Sequence, residues 1–182
     1  MIRFISVELD GVLAPRISRA LWLSMKEFNP TDADEAMARI FPTVKPWKSG
    51  NVGEREFWSL AAQAVGCRPE ALKDTFLAKF SVDRDVASFL SALSNRYSVG
   101  IYEELPPCLQ EFLTKSVATE CPPPVRIIPG AEAFPEGKAA PDTLYVIATS
   151  SLSYTLADFH AQVILFTNLF RLKREIALRG LV

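Results

Sequence analysis

Residues 2–13, which read Ile-Arg-Phe-Ile-Ser-Val-Glu-Leu-Asp-Gly-Val-Leu, contain the stretch that decides the fold. Ile2–Leu9 is a short apolar run rich in residues that favour β-strands, and Asp10-Gly11 is a turn signal. A strand that is apolar on both faces must be covered on both, so this run predicts the centre of a parallel sheet. Glu8 and Asp10 then stand where the strand ends, at the edge where such sheets form ligand sites.

Strand and helix patterns alternate through the C-terminal half of the chain. Strands are predicted at Ser98–Tyr102, Val125–Ile128, Leu144–Ala148 and Val163–Phe166, and helices at Asp83–Asn95, Pro106–Val117, Tyr154–Phe159 and Leu169–Leu178. Short apolar strands joined through helices predict an α/β fold, a three-layer αβα Rossmann-like arrangement around a five-stranded parallel sheet.

Between the first strand and the second, the pattern is helical only. Helices are predicted at Ile17–Phe28, from a cap at Thr31 or Asp32 through Ile40, at Glu54–Val65, and from Pro69 to about Phe80, with a loop from Pro42 to Gly53. Helices with no strand between them cannot lie in the layers of a sheet. Residues 15–81 are therefore predicted to form an inserted helical domain, while residues 1–14 and 82–182 form the α/β core.

Composition narrows the possible functions. Hydrophobic residues make up 49% of the 182 residues, and the formal net charge is −1. Without clustered Lys and Arg, we expect no nucleic-acid partner. No apolar run approaches the roughly 20 residues of a membrane span, and Glu8 and Asp10 interrupt the first one, so we expect no signal peptide and no membrane. Cys67, Cys108 and Cys121 fit no disulfide or zinc framework, which predicts reduced thiols in a cytoplasmic protein.

Val7–Leu13 resembles the first motif of the haloacid dehalogenase (HAD)-like superfamily, apolar residues followed by D-x-D-G-x-L. The helical insert lies where that superfamily places its helical cap. Ser49–Gly53, leading into Glu56-Phe57-Trp58, is similar to the glycine turn of the cap. The resemblance covers nearly the whole chain and implies a hydrolase fold.

The resemblance also implies a chemistry. An Asp nucleophile attacks phosphorus, or carbon in the dehalogenases, and a second Asp acts as general acid and base. A Ser or Thr holds the phosphate, a Lys steadies the charge, and acidic residues after the fourth strand hold Mg²⁺. The cation and the Lys are needed because an anionic nucleophile must approach an anionic substrate.

Several positions depart from this pattern. Glu8 stands at the nucleophile position with an extra methylene, while Asp10 keeps the acid–base position. Glu103 replaces the phosphate-binding Ser or Thr, and an ionised carboxylate cannot donate a hydrogen bond to phosphate. Lys138 fits the Lys motif, although the segment from it to the fourth strand is shorter than usual.

The metal-binding acids are also replaced, because Thr149 and Ser153 align with them. Neutral hydroxyls are weak Mg²⁺ ligands beside carboxylates. The residues expected to line the cleft between core and cap are Glu103, Glu104, Thr149, Ser150 and Ser153.

These departures predict a pseudoenzyme, a catalytically degenerate HAD-like protein that binds a partner protein or a small ligand. We expect no cofactor and no bound metal, and a homodimer is possible. The alternative is an active hydrolase, phosphatase-like or dehalogenase-like, that uses Glu8 and Asp10 with Mg²⁺. A weaker option is a cation held by those residues with Glu103 and Glu104.

Structural roles compete with chemistry at each of these residues. Glu8 and Asp10 could hold the first turn through hydrogen bonds to the backbone. Lys138 could pair with either carboxylate, since buried charges need partners. Packing inside the helical insert is the role predicted for Trp22, Trp47 and Trp58, and a surface or packing role is predicted for His160.

Overall fold

A computed structural model of the protein describes residues 1–103, 105–106, 108–112, 115, 126–129, 141–148 and 162–181. Its strands are β1 (Phe4–Glu8), β2 (Ser98–Glu103), β3 (Arg126–Pro129), β4 (Thr143–Ala148) and β5 (Val163–Phe166). Its helices are α1 (Ile17–Phe28), α2 (Ala33–Lys48), α3 (Glu54–Val65), α4 (Pro69–Ala78), α5 (Arg84–Leu93) and α6 (Leu169–Leu178), and residues 108–112 are also helical. Among the described helices, none combines the length and the apolar character needed to cross a bilayer.

The strands form one parallel sheet in the order β3-β2-β1-β4-β5. The predicted α/β class and the central place of the first strand are therefore confirmed. In the register of the sheet, Glu8 pairs with Tyr102 on β2, and Val7 pairs with Val146 on β4. The carboxyl ends of β1, β2 and β4 consequently lie side by side, which is the arrangement that positions a site.

The two faces of the sheet differ in polarity. Ile5 and Val7 share one face of the sheet, and both are buried. Helix α5 packs on β2, and helix α6 packs on β5. Alternation along β1 places Ser6 and Glu8 on the other face, and both are buried. That face also carries the apolar cluster of Tyr102, Tyr145 and Ile147, with Val163 and Leu165 packed against it. A buried hydroxyl and a buried carboxylate thus stand in the middle of the sheet.

Local signals explain where the helices begin and end. Pro69 begins α4, where its missing N–H costs nothing, and Gly66 ends α3 with a φ of 73°, which favours glycine. The Asp83 side chain accepts hydrogen bonds from the backbone N–H groups of Asp85 and Val86 at the start of α5. Asn168 does the same for Arg171 at the start of α6. These caps satisfy N–H groups that have no partner inside the helix.

The chain divides into two compact units. The α/β unit comprises Met1–Ala14, Val82–Glu103 and Ser116–Val182, and the helical unit comprises Pro15–Ser81 with Glu104–Lys115. The sequence had assigned residues 104–115 to the α/β core. Instead, the described part of that segment packs with the helical unit, where Leu109 is fully buried.

An aromatic cluster forms the core of the helical unit. Trp47 stacks on Phe57 with ring centroids 3.9 Å apart, and the edges and faces of Trp58 and Phe76 complete the cluster. Trp47 and Trp58 are buried, as the sequence predicted. Trp22 is only half-buried, donates a 2.7 Å hydrogen bond to Asp34, and lies under the Lys26 ammonium.

The predicted loop from Pro42 to Gly53 was wrong over its first half, because α2 continues through Pro42 and Pro46 to Lys48. Extending the helix places Val44 and Trp47 on the same buried face as Ile40, and burial of a Trp outweighs the backbone bonds that the prolines remove. Asp32 is the N-cap residue, but its side chain makes no capping hydrogen bond.

Candidate functional site

The turn after β1 is held by its own backbone. Leu9 C=O accepts hydrogen bonds from the N–H groups of Val12, Leu13 and Ala14 at 3.0–3.3 Å, and Gly11 N–H donates to Ala14 C=O at 2.9 Å. Gly11 adopts a φ of 89°, which a residue with a side chain rarely adopts. The turn leaves Asp10 half-exposed just beyond the carboxyl end of β1.

Glu8 is turned into the sheet. Its side chain is buried, with 6% of its surface exposed, and Oε2 accepts a 2.6 Å hydrogen bond from the backbone N–H of Ala148. Ala148 is the last residue of β4, so the carboxylate links the ends of two neighbouring strands. The sequence predicted a structural bond from this residue to its own turn. The bond to Ala148 joins β1 to β4.

Glu8 has one methylene more than aspartate, and this length lets its carboxylate reach the Ala148 N–H. Aspartate at the same backbone position would place its carboxylate about 1.5 Å closer to β1, too far for a bond of the observed length. A buried carboxylate needs a hydrogen-bonding partner, and the Ala148 N–H supplies one. Glu8 thus has a chemically sufficient structural role at the position where the resemblance implies a nucleophile.

The structure describes only some of the other residues predicted for the site. The backbone of Glu103 ends β2 in register with Pro129, beside the ends of β1 and β3, but its side chain lies outside the described part. Several predicted residues and one predicted helix also lie outside the described residues: Glu104, Lys138, Thr149, Ser150, Ser153, His160, Cys121 and Tyr154–Phe159. Within the described ranges, no three His, Cys, Asp or Glu side chains are grouped so that they could hold a metal ion.

A second polar cluster lies inside the helical unit, and the sequence did not predict it. The Lys73 ammonium of α4 lies 2.6 Å from Oε1 of Glu54, the first residue of α3. The Cys108 thiol lies close enough to the same carboxylate for the carboxylate to raise the pKa of the thiol. These contacts attach the segment after β2 to the helical unit and explain its place there.

One signal in the sequence could have indicated this cluster. Glu54 stands four residues before Trp58 and therefore on the buried face of α3. A carboxylate at the edge of an apolar face needs a partner. The sequence does not show which residues supply it, because Lys73 and Cys108 are distant along the chain.

Burial raises the pKa of the Cys108 thiol to about 12, and the Glu54 carboxylate beside it adds to the effect. The same carboxylate raises the pKa of Lys73. Cys67, at the end of α3, is less enclosed, and burial raises its pKa as well. Because the thiolate is the reactive form, Cys108 is chemically quiet at neutral pH.

Alkylation of Cys108 by iodoacetamide at about pH 8 should be at least roughly tenfold slower than that of Cys67, because fewer Cys108 thiols are ionised. Peptide-resolved mass spectrometry measures the two rates separately. In Glu54→Gln the rate at Cys108 should rise, since the carboxylate that disfavours the thiolate is gone. Glu56→Gln, an exposed change on the same helix, should leave the rate unchanged. Equal rates at Cys67 and Cys108 in the unsubstituted protein would contradict the burial of the Cys108 thiol, and an unchanged Cys108 rate in Glu54→Gln would contradict the Glu54–Cys108 contact.

Solved structures share this fold across nearly the whole chain. A HAD family enzyme from Bacteroides thetaiotaomicron, in complex with magnesium and inorganic phosphate, superposes with a TM-score of 0.64 at 12% identity, covering 94% of this chain and 99% of that one. A predicted HAD-like family hydrolase from Porphyromonas gingivalis superposes with a TM-score of 0.61 at 15% identity, covering 97% and 98%.

The L-2-haloacid dehalogenase from Xanthobacter autotrophicus, with chloropropionic acid covalently bound, gives a TM-score of 0.54 at 13% identity, covering 100% of this chain and 85% of that one. No family model matches the chain, and no curated protein matches it in sequence. At these identities the likeness concerns the fold. The chain therefore has the fold of the haloacid dehalogenase-like superfamily, as the motif around Glu8 and Asp10 predicted.

Proposed function

We propose that this chain is a catalytically degenerate HAD-like protein, which acts in the cytoplasm by binding a partner protein or a small ligand. The observation that carries the proposal is the state of Glu8. Its carboxylate is buried and bonded to the Ala148 N–H. A nucleophilic carboxylate must be accessible to its substrate, whereas the Glu8 carboxylate is buried and hydrogen-bonded to the backbone of β4.

Charge balance supports the same conclusion. In this fold the chemistry brings an anionic substrate to an anionic nucleophile, so cationic and hydrogen-bonding groups must offset the repulsion. Glu103, at the end of β2, adds negative charge where a hydroxyl donor is needed. Of the groups that offset this repulsion in the HAD motifs, the sequence retains only Lys138.

The donor set also fits Mg²⁺ poorly. Mg²⁺ prefers near-octahedral oxygen ligands, usually with one or two carboxylates and substrate phosphate. Here Glu8 already bonds to a backbone amide, and the positions that align with the metal acids carry the hydroxyls of Thr149 and Ser153. Asp10 is the one half-exposed carboxylate at the carboxyl end of β1.

Mg²⁺ should therefore bind weakly, with a dissociation constant above about 1 mM at neutral pH. Isothermal titration calorimetry measures this constant directly. Asp10→Asn is the informative variant, because Asp10 would supply the main carboxylate of any site. Binding tighter than about 1 mM that disappears in Asp10→Asn would show a competent metal site and contradict the proposal.

An active hydrolase is the second candidate, and one observation favours it. The half-exposed Asp10 at the carboxyl end of β1 could take a proton from water or return one to a leaving group. In that case Glu8 would have to leave the Ala148 N–H in order to reach a substrate. Mg²⁺-dependent turnover would favour this candidate over the binding function.

A further inference from the structure

We draw no further inference here: the strongest candidate, the pair of buried indole N–H groups of Trp47 and Trp58 in the aromatic core of the helical unit, which have no hydrogen-bond partner among the described residues, carries nothing, because the two rings pack edge to face on each other with centroids 5.4 Å apart and nothing in the described part of the structure shows a space that a ligand could fill beside them.

Discussion

Purified protein, assayed with Mg²⁺ in excess, should hydrolyse p-nitrophenyl phosphate at least about 10⁴-fold more slowly than an ordinary enzyme turns over its substrate. The proposal combines three deficits: Glu8 is bonded into the sheet, and by resemblance to the HAD motifs Glu103 stands in place of the phosphate-binding hydroxyl and hydroxyls stand in place of the metal acids. Loss of one preorganised electrostatic contact typically costs about 2.7–4 kcal/mol in activation free energy. Two such losses already correspond to a factor of about 10⁴.

The informative comparison includes a variant with the usual residues restored. It carries Glu8→Asp, Glu103→Ser, Thr149→Asp and Ser153→Asp together, and it is assayed beside wild type and Glu8→Gln. L-2-chloropropionate is the second substrate, because dehalogenation is the other chemistry that the resemblance implies. Glu8→Gln is the matched control, because it keeps the side-chain length and an acceptor for the Ala148 N–H while removing the nucleophile.

Turnover by wild type above about 1 s⁻¹, dependent on Mg²⁺ and lost in Glu8→Gln, would defeat the pseudoenzyme proposal. Activity that appears only in the restored variant would support it. If no variant is active, the short segment between Lys138 and Thr149 is the next explanation to test, because it could displace the Lys138 side chain from the site.

Most of the fold was predictable because its signals are local. The strand β5 and the helices α1, α3 and α6 begin and end where apolar periodicity and caps predicted. The central place of β1 followed from its apolar character, since a central strand of a parallel sheet is covered on both faces. These properties depend on neighbours in the sequence rather than on distant contacts.

The sequence predicted the structure less well where burial against distant residues determines it. Pro42 and Pro46 are strong local signals against a helix, yet α2 continues through both, since Trp47 is buried against Phe57. Residues 105–106, 108–112 and 115 pack with the helical unit, where Cys108 contacts Glu54. Neither contact has a periodic pattern that would identify both partners.

The candidate site was predictable in position and less so in geometry. The rule that ligand sites lie beyond the carboxyl ends of parallel strands predicts that Glu8, Asp10 and Glu103 lie at one edge of the sheet, and the ends of β1 and β2 are neighbours there. It could not indicate that Glu8 turns toward Ala148. The partner is a backbone N–H, which every non-proline residue carries, so no side-chain pattern marks it.

Replacing Glu8 should reveal through stability whether the residue serves the fold or a reaction. Glu8→Ala removes a buried side chain and leaves the Ala148 N–H without this acceptor, so we expect a loss of about 2–4 kcal/mol in the free energy of unfolding. Glu8→Gln keeps the volume and an acceptor, and it should cost about 1 kcal/mol. Urea unfolding at neutral pH, followed by circular dichroism, measures both differences.

The sign of the Glu8→Ala effect separates the two roles. Residues held for catalysis often lower stability, and their removal often raises it, because the site keeps strained or unpaired groups. A residue that links β1 to β4 should do the opposite. Glu35→Ala is the control, since that side chain is 74% exposed and forms only a surface pair with Arg39, so its effect should stay within about 0.5 kcal/mol. If Glu8→Ala leaves stability unchanged or raises it, Glu8 is not a structural link, and the hydrolase alternative gains support.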